Sequence, residues 1–167
     1  MVTHLNKLKF QKTIKEEVSI NGVGLHTGCN SIISICPAPS NYGIKFQRID
    51  IKDSPIIDAN IDNVIDVTRG TTIGNKNLEV HTVEHILAAV NGLEIDNLLI
   101  KINNIELPIL DGSSKQYVEL LLESGLVEQD MHRMELIIDE TITYSNPKEG
   151  VDIHIVPSDK FRITFMM

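Results

Sequence analysis

The stretch HTVEHILAAVNGLEIDNLLIKI, residues 81–102, predicts a helix followed by a buried strand. Val83, Ile86, Leu87 and Val90 have the i, i+3, i+4, i+7 spacing of a helix face that packs against a core. The run NLLIKI at the end of the stretch has the apolar composition of a buried strand. Together they indicate a domain that combines helices with a sheet.

The ends of this helix follow from its flanking residues. Thr82 is a natural N-cap, and Gly92 is a natural residue to follow a helix C-terminus. The predicted helix therefore runs from about Thr82 to Asn91. His81 would then lie outside the helix, at the end of the preceding strand.

The first five residues of the stretch, HTVEH, have the H-x-x-E-H pattern of inverzincin metalloproteases. In such a protease His81 and His85 share one zinc from the same helix face. The capping argument favours His85 alone as a metal ligand, with Glu84 placed to serve as a base. A solvated histidine at a helix start explains the spacing equally well, and the protease-like reading with both histidines stays an alternative.

A catalytic zinc usually has three protein ligands and an open position. Neither His132 nor His154 is followed four residues later by an acid or a histidine. The sequence therefore offers His85 and Glu84 as half of a zinc site.

Two glycine-containing motifs flank this helix in the sequence. GVGLHTG, residues 22–28, superficially resembles a dinucleotide fingerprint, but Thr27 replaces the last glycine and a strand follows instead of a helix. A tight turn between strands is the simpler interpretation, with His26 as a possible pocket residue. ELPILDGSS, residues 106–114, reads as a short strand and an Asp111-Gly112 turn.

Other segments complete the secondary structure. SIISIC (31–36) and IKFQR (44–48) alternate as strands, and a second helix is predicted after DGSS and up to Gly125. Ser113 and Gln116 have the spacing of a capping box at its start.

The C-terminal part predicts a linker, EQDMHR, and then three strands: MELIIDETITY, VDIHIVP and FRITFMM. VDIHIVPSDKFRITF repeats the pattern of SIISICPAPSNYGIKF, which suggests a second copy of the same domain from about residue 134. We expect a first domain over 1–128 and the start of a second over 129–167, so that the chain looks cut short.

Composition narrows the classes of function. The 167 residues are 42% apolar with a net charge of −8, which supports a packed core and argues against nucleic-acid or anionic-membrane binding. Apolar runs such as ILAAV are too short to span a bilayer, and no secretory signal is visible. Cys29 and Cys36 fit no metal spacing and indicate free thiols in a reducing cytoplasm.

Taken together, GVGLHTG, HTVEHILAAVNGLEIDN and ELPILDGSS, in this order, resemble the LpxC family of zinc-dependent UDP-3-O-acyl-N-acetylglucosamine deacetylases. The resemblance implies an α+β fold. One sheet would pack on two helices, similar to domain 2 of ribosomal protein S5, and the first strands of a second similar domain would follow. It also implies that Glu84 is the general base, that His85 is a zinc ligand and that His81 is not one. The family's other two ligands, an H-x-x-x-D pair, and its proton-donating histidine are absent here, so this chain alone is expected to be inactive.

The resemblance implies hydrolysis of the N-acetyl group of UDP-3-O-[(3R)-3-hydroxyacyl]-N-acetylglucosamine, a step of lipid A biosynthesis in the cytoplasm of Gram-negative bacteria. IDVTRGTTIGNK, residues 65–76, would occupy a loop beside the active site, but no role is assigned to Thr68 or Arg69. Some members are fused to a hydroxyacyl-carrier-protein dehydratase. A non-catalytic α+β module that binds a nucleotide-sugar or a protein is the second alternative.

Overall fold

The computed structural model describes residues 9–166, and the chain forms two units that divide between Arg133 and Met134. The predicted α+β class is confirmed, because the described residues form two helices and several sheets. In the first unit the helices are α1 (Glu84–Gly92) and α2 (Lys115–Glu123), and a short 3-10 helix spans Ile61–Asn63. The strands of that unit are β1 (Phe10–Ile14), β2 (Val18–Val23), β3 (Asn30–Pro37), β4 (Ile44–Arg48), β5 (Ile56–Asp58), β6 (Val64–Asp66), β7 (Thr72–Gly74), β8 (Glu79–Val80), β9 (Leu98–Ile102) and β10 (Leu126–His132).

The main sheet has the strand order β2-β3-β9-β4-β5 and carries one apolar face. β9 lies at its centre, antiparallel to β3 and parallel to β4. Ile33 pairs with Ile102, Ile35 pairs with Ile100, and Phe46 pairs with Ile100 from the other side. All five side chains are fully buried. In β3 and β4 they alternate with more exposed residues, which is the period-2 pattern of a strand with one buried face, whereas β9 is the strand that its apolar composition predicts.

Both helices contribute to the same core as this sheet face. The helical residues in that core are Ile86, Ala89 and Val90 of α1 and Tyr117 and Leu121 of α2. Full burial of an isoleucine or leucine side chain contributes about 1.5–3 kcal/mol, so this shared core holds the helices on the sheet. The buried face of α1 differs slightly from the prediction.

The difference concerns Leu87 and Ala89. Leu87 is only half-buried, whereas Ala89 is buried in the core. Ala88, the alanine before it, is exposed.

The C-terminus of α1 does not end as predicted. Gly92 is the last helical residue, and it is Glu94 that adopts the left-handed conformation, with φ 55°. The Glu94 N–H donates to the Asn91 carbonyl and the Ile95 N–H to the Val90 carbonyl, the two bonds of a Schellman motif. The end of α2 follows the prediction, since Gly125 follows Ser124 with φ 76°.

Two local predictions were wrong. EQDMHR is not a linker, because most of it belongs to β10, which pairs antiparallel with β1. ELPIL is not a strand, because its only ladder contact is a single parallel bridge between Glu106 and His81. The predicted domain boundary between residues 128 and 129 falls inside β10, and the assignment of two deacetylase domains stays a prediction.

The second unit contains a β-hairpin of β11 (Ile142–Asn146) and β12 (Val151–Ile155). The predicted strand at FRITFMM is absent over 161–166, and Met167 lies outside the described residues. The stretch 134–140 is not a strand either. Among the residues that the structure describes, no helix has the length and apolar content needed to cross a membrane.

Candidate active site at the start of α1

The chain reverses sharply just before α1. Thr82 has φ 59°, in the left-handed region that β-branched residues rarely adopt, and Val83 occupies the N-cap position without a side-chain hydrogen bond. The predicted capping role of Thr82 is therefore wrong. Its hydroxyl instead donates to Oε1 of Glu106, at 2.9 Å. Similarly, Ser114 and not Ser113 precedes α2, and the predicted capping box does not form.

The two histidines of HTVEH lie in different environments. His81 is outside the helix, as predicted, and its Nε2 is 3.1 Å from Oε2 of Glu79. His85 lies in the first turn of α1 and is half-buried, and its imidazole has no hydrogen-bond partner within residues 9–166. No group of three His, Cys, Asp or Glu side chains in the described part of the chain is placed to hold a metal. The two histidines therefore do not form the i, i+4 pair on one helix that the protease-like reading requires.

Glu84 is held by one carboxylate oxygen and leaves the other available. Its Oε2 accepts a hydrogen bond of 2.9 Å from the Thr71 N–H, while Oε1 has no hydrogen-bond partner in the described residues. Oε1 faces Gly70, where a side-chain Cβ would lie 3.4 Å from it. The same position would lie 3.5 Å from Nε2 of His26. Because Gly70 has no side chain, a space of about the size of a methyl group remains between the carboxylate and the imidazole.

His26 reaches this space from the turn between β2 and β3, which confirms GVGLHTG as a turn between strands. Its Nε2 is 3.0 Å from the Arg69 carbonyl oxygen, which can only accept, so Nε2 donates in this contact. Gly28 in the turn has φ 67°, the conformation for which glycine is favoured.

A cavity of about 380 Å³ lies in the same region. His26, Thr68, Gly70, His81 and Thr82 are among its lining residues, and the predicted pocket position of His26 is thereby supported. Glu84 and His85 are not among the described residues that line it. Thr68 contributes to its wall, and the backbone of Arg69 positions the His26 ring.

Glu106 connects the three sequence motifs, and the sequence analysis assigned it no role. Its fully buried carboxylate accepts hydrogen bonds from the N–H groups of His26 and Thr27 and from the hydroxyls of Thr27 and Thr82. Burial acts to raise the pKa of Glu106, but these hydrogen bonds outweigh it and lower the pKa to about 2. Gly24 is packed against this carboxylate so closely that a Cβ there would lie 2.8 Å from Cδ of Glu106.

The three motifs that meet at Glu106 are the ones whose resemblance to a known family was stated above, and a comparison with known proteins finds the same family. The family model described as LpxC, UDP-3-O-acyl N-acetylglycosamine deacetylase, matches residues 11–167. The chain belongs to the LpxC family. It therefore belongs to a family of deacetylases, and the resemblance stated from the three motifs is confirmed. A metalloprotease of the inverzincin type does not fit this membership.

Several LpxC relatives are similar over nearly all of the chain. A protein named bifunctional enzyme LpxC/FabZ from Chlorobaculum tepidum is 51% identical over 94% of the chain, and one from Bacteroides thetaiotaomicron is 41% identical over 94%. A UDP-3-O-acyl-N-acetylglucosamine deacetylase from Saccharophagus degradans is 37% identical over 93% of the chain. The matched region is 34% of the length of the first two relatives and 50% of the third, so the chain spans between a third and a half of these LpxC proteins.

Proposed function

We propose that this chain supplies the general base and one zinc ligand to a deacetylase that hydrolyses the N-acetyl group of UDP-3-O-[(3R)-3-hydroxyacyl]-N-acetylglucosamine. Membership of the LpxC family supports the reaction, which leads to lipid A. The observation that carries the assignment to residues is the carboxylate of Glu84, fixed through Oε2 and open at Oε1. A cytoplasmic location remains an expectation from the resemblance.

Glu84 has the arrangement that a general base requires. The bond from the Thr71 N–H fixes the orientation of the carboxylate, and the open space at Gly70 lets Oε1 accept a proton from a reacting group. His26 lies across the same space, where its bond to the Arg69 carbonyl fixes the ring as the wall opposite Glu84.

The residues of this chain can supply one ligand to a zinc site. His85 offers an imidazole without a competing hydrogen bond, next to the proposed base, and nitrogen of this kind is a common zinc ligand. When bound, Zn²⁺ would supply Lewis acidity at the amide carbonyl. We propose that the remaining ligands and the proton donor come from residues outside this chain, because the relatives are two to three times as long as the matched region.

The 167-residue chain by itself is therefore expected to be inactive and to bind zinc weakly. After dialysis against a mild chelator, we expect far less than one zinc per chain by atomic absorption. About one tightly held zinc per chain would contradict the assignment of His85 as a lone ligand.

The catalytic assignment is tested in a version of the protein that spans the full length of the deacetylase relatives. We expect Glu84→Ala to lower kcat about 100-fold or more while zinc content is unchanged, because a general base typically contributes about 10²–10⁴-fold. His85→Ala should lose zinc as well as activity. Glu119→Gln is the control, since it changes an exposed carboxylate of α2 that pairs with Lys115 and does not line the cavity beside His26.

Undiminished turnover by Glu84→Ala would contradict the role of Glu84. A wild-type protein without deacetylase activity would instead favour a non-catalytic binding module. The relatives named bifunctional LpxC/FabZ support the further possibility that a dehydratase domain is fused to this protein.

A further inference from the structure

The interior of the first unit contains an ionised carboxylate with no cationic partner. Glu106 is fully buried, and no lysine, arginine or histidine side chain in residues 9–166 forms an ion pair with it. An isolated buried charge is strongly destabilising unless hydrogen bonds replace the lost water. The cluster of donors from His26, Thr27 and Thr82 provides this replacement. A neutral apolar residue would fill the same volume without this requirement, so the charge calls for an explanation beyond packing.

The first consequence of this charge is the conformation of Thr82. A non-glycine residue in the left-handed region costs about 1–2 kcal/mol. The hydrogen bond from the Thr82 hydroxyl to Glu106 Oε1 stabilises that conformation. Because Thr82 reverses the chain, the Val83 N–H meets the Thr71 carbonyl at 3.2 Å, and Glu84 meets the Thr71 N–H. The position of the proposed base thus depends on the backbone at Thr82.

The second consequence concerns the opposite side of the open space. The Glu106 carboxylate binds the backbone of His26 and both the backbone and the side chain of Thr27. These contacts fix the turn from which the His26 ring reaches the Arg69 carbonyl. One carboxylate therefore fixes both walls of the space at Gly70.

We propose that Glu106 is a positioning residue, which aligns Glu84 with His26 by holding Thr82 in its left-handed conformation and the turn at residues 26–27 in place. The proposal rests on the proposed function of Glu84. Glu106 itself is fully buried and acts only through the groups that it binds.

The test compares Glu106→Gln with Ser31→Ala in the version of the protein that spans the full length of the deacetylase relatives. Glutamine keeps the shape of the side chain but places an N–H₂ group against donors. Ser31→Ala removes the buried 2.6 Å hydrogen bond to the backbone oxygen of Glu106 and leaves the carboxylate contacts intact. We expect Glu106→Gln to lower kcat about 10- to 100-fold, because a displacement of the catalytic group by about 1 Å can cost about 100-fold. KM should change less than kcat and zinc should be retained, whereas Ser31→Ala should lose stability with kcat unchanged.

A second readout does not depend on activity. The Thr71 N–H donates to Glu84 and has no contact with Glu106, so its amide hydrogen exchange reports the position of the base. We expect faster exchange at Thr71 in Glu106→Gln than in Ser31→Ala. Equal kcat and equal Thr71 exchange in the two variants would overturn the proposal. A wild-type protein without deacetylase activity would contradict the proposed function, while the exchange measurement would still decide the positioning role.

If Glu106→Gln does not fold, Thr82→Val and Thr82→Ser form the alternative pair. Valine keeps the β-branched shape and the backbone strain but loses the hydroxyl, and serine keeps the hydroxyl. We expect the loss of kcat and of Thr71 protection in Thr82→Val and their recovery in Thr82→Ser. If both variants lose kcat and Thr71 protection, or if both keep them, the hydrogen bond from Thr82 to Glu106 does not have this role.

Discussion

The buried carboxylate of Glu106 predicts a specific dependence of stability on pH. Its pKa is lowered from 4.5 to about 2 in the folded chain, and this difference corresponds to about 3 kcal/mol of folding free energy. Because the folded-state pKa is the lower one, this stabilisation is fully present above pH 4.5. It is lost as the pH falls towards 2. With these two pKa values, about 2 kcal/mol should already be lost at pH 3.

The assay is urea unfolding of the 167-residue chain followed by circular dichroism, since the chain contains no tryptophan. Between pH 7 and pH 3, the wild-type free energy of unfolding should fall by about 2 kcal/mol more than that of Glu106→Gln. Glu119→Gln is the control, because this exposed carboxylate of α2 pairs with Lys115 at the surface, where an ion pair contributes little to stability. This control should retain the wild-type slope. Parallel pH profiles for wild type and Glu106→Gln would refute the reasoning that hydrogen bonds keep this carboxylate ionised.

Three further substitutions test the packing around the site by their free energies of unfolding. Gly24→Ala should destabilise the chain by about 1–3 kcal/mol, because its methyl group would overlap the Glu106 carboxylate. Gly92→Ala should instead stabilise it by about 0.5–1 kcal/mol, since Gly92 is helical with open space around its Cα; destabilisation would contradict the assigned end of α1. Tyr117→Phe should cost about 1–3 kcal/mol, because it leaves the buried Pro108 carbonyl without its 2.5 Å hydrogen bond; an unchanged stability would exclude that bond.

The parts of the fold that the sequence predicts are those with a local cause. The alternation in β3 and the apolar spacing in α1 follow directly from the periods of strand and helix, and both elements form. The end of α1 does not follow from a local rule. Glu94 adopts the conformation for which glycine is favoured, and its carboxylate bonds Lys9 and Lys12, more than 80 residues away in the sequence. Contacts at such separations override the local preference for Gly92.

The sequence also predicts only a part of the candidate site. Glu84 and His85 follow from the HTVEH motif and its family resemblance, and their roles stay predictions. The capping role of Thr82 fails for a physical reason. A threonine hydroxyl before a helix normally bonds the helix N–H groups, but this one bonds Glu106, 24 residues later. A local pattern cannot reveal a competing acceptor that only the tertiary fold brings near.

Glu106 could nevertheless have been suspected from its neighbours in the sequence. It lies in the run IELPIL, where an acidic residue is flanked on both sides by apolar ones. If that run is buried, the carboxylate is buried with it and must find several donors, because an unsatisfied buried charge is too costly. Turns rich in glycine and threonine are good sources of such donors, since they offer free N–H groups and hydroxyls. The combination of IELPIL with GVGLHTG therefore predicts a contact between the two motifs, even though neither motif alone does so.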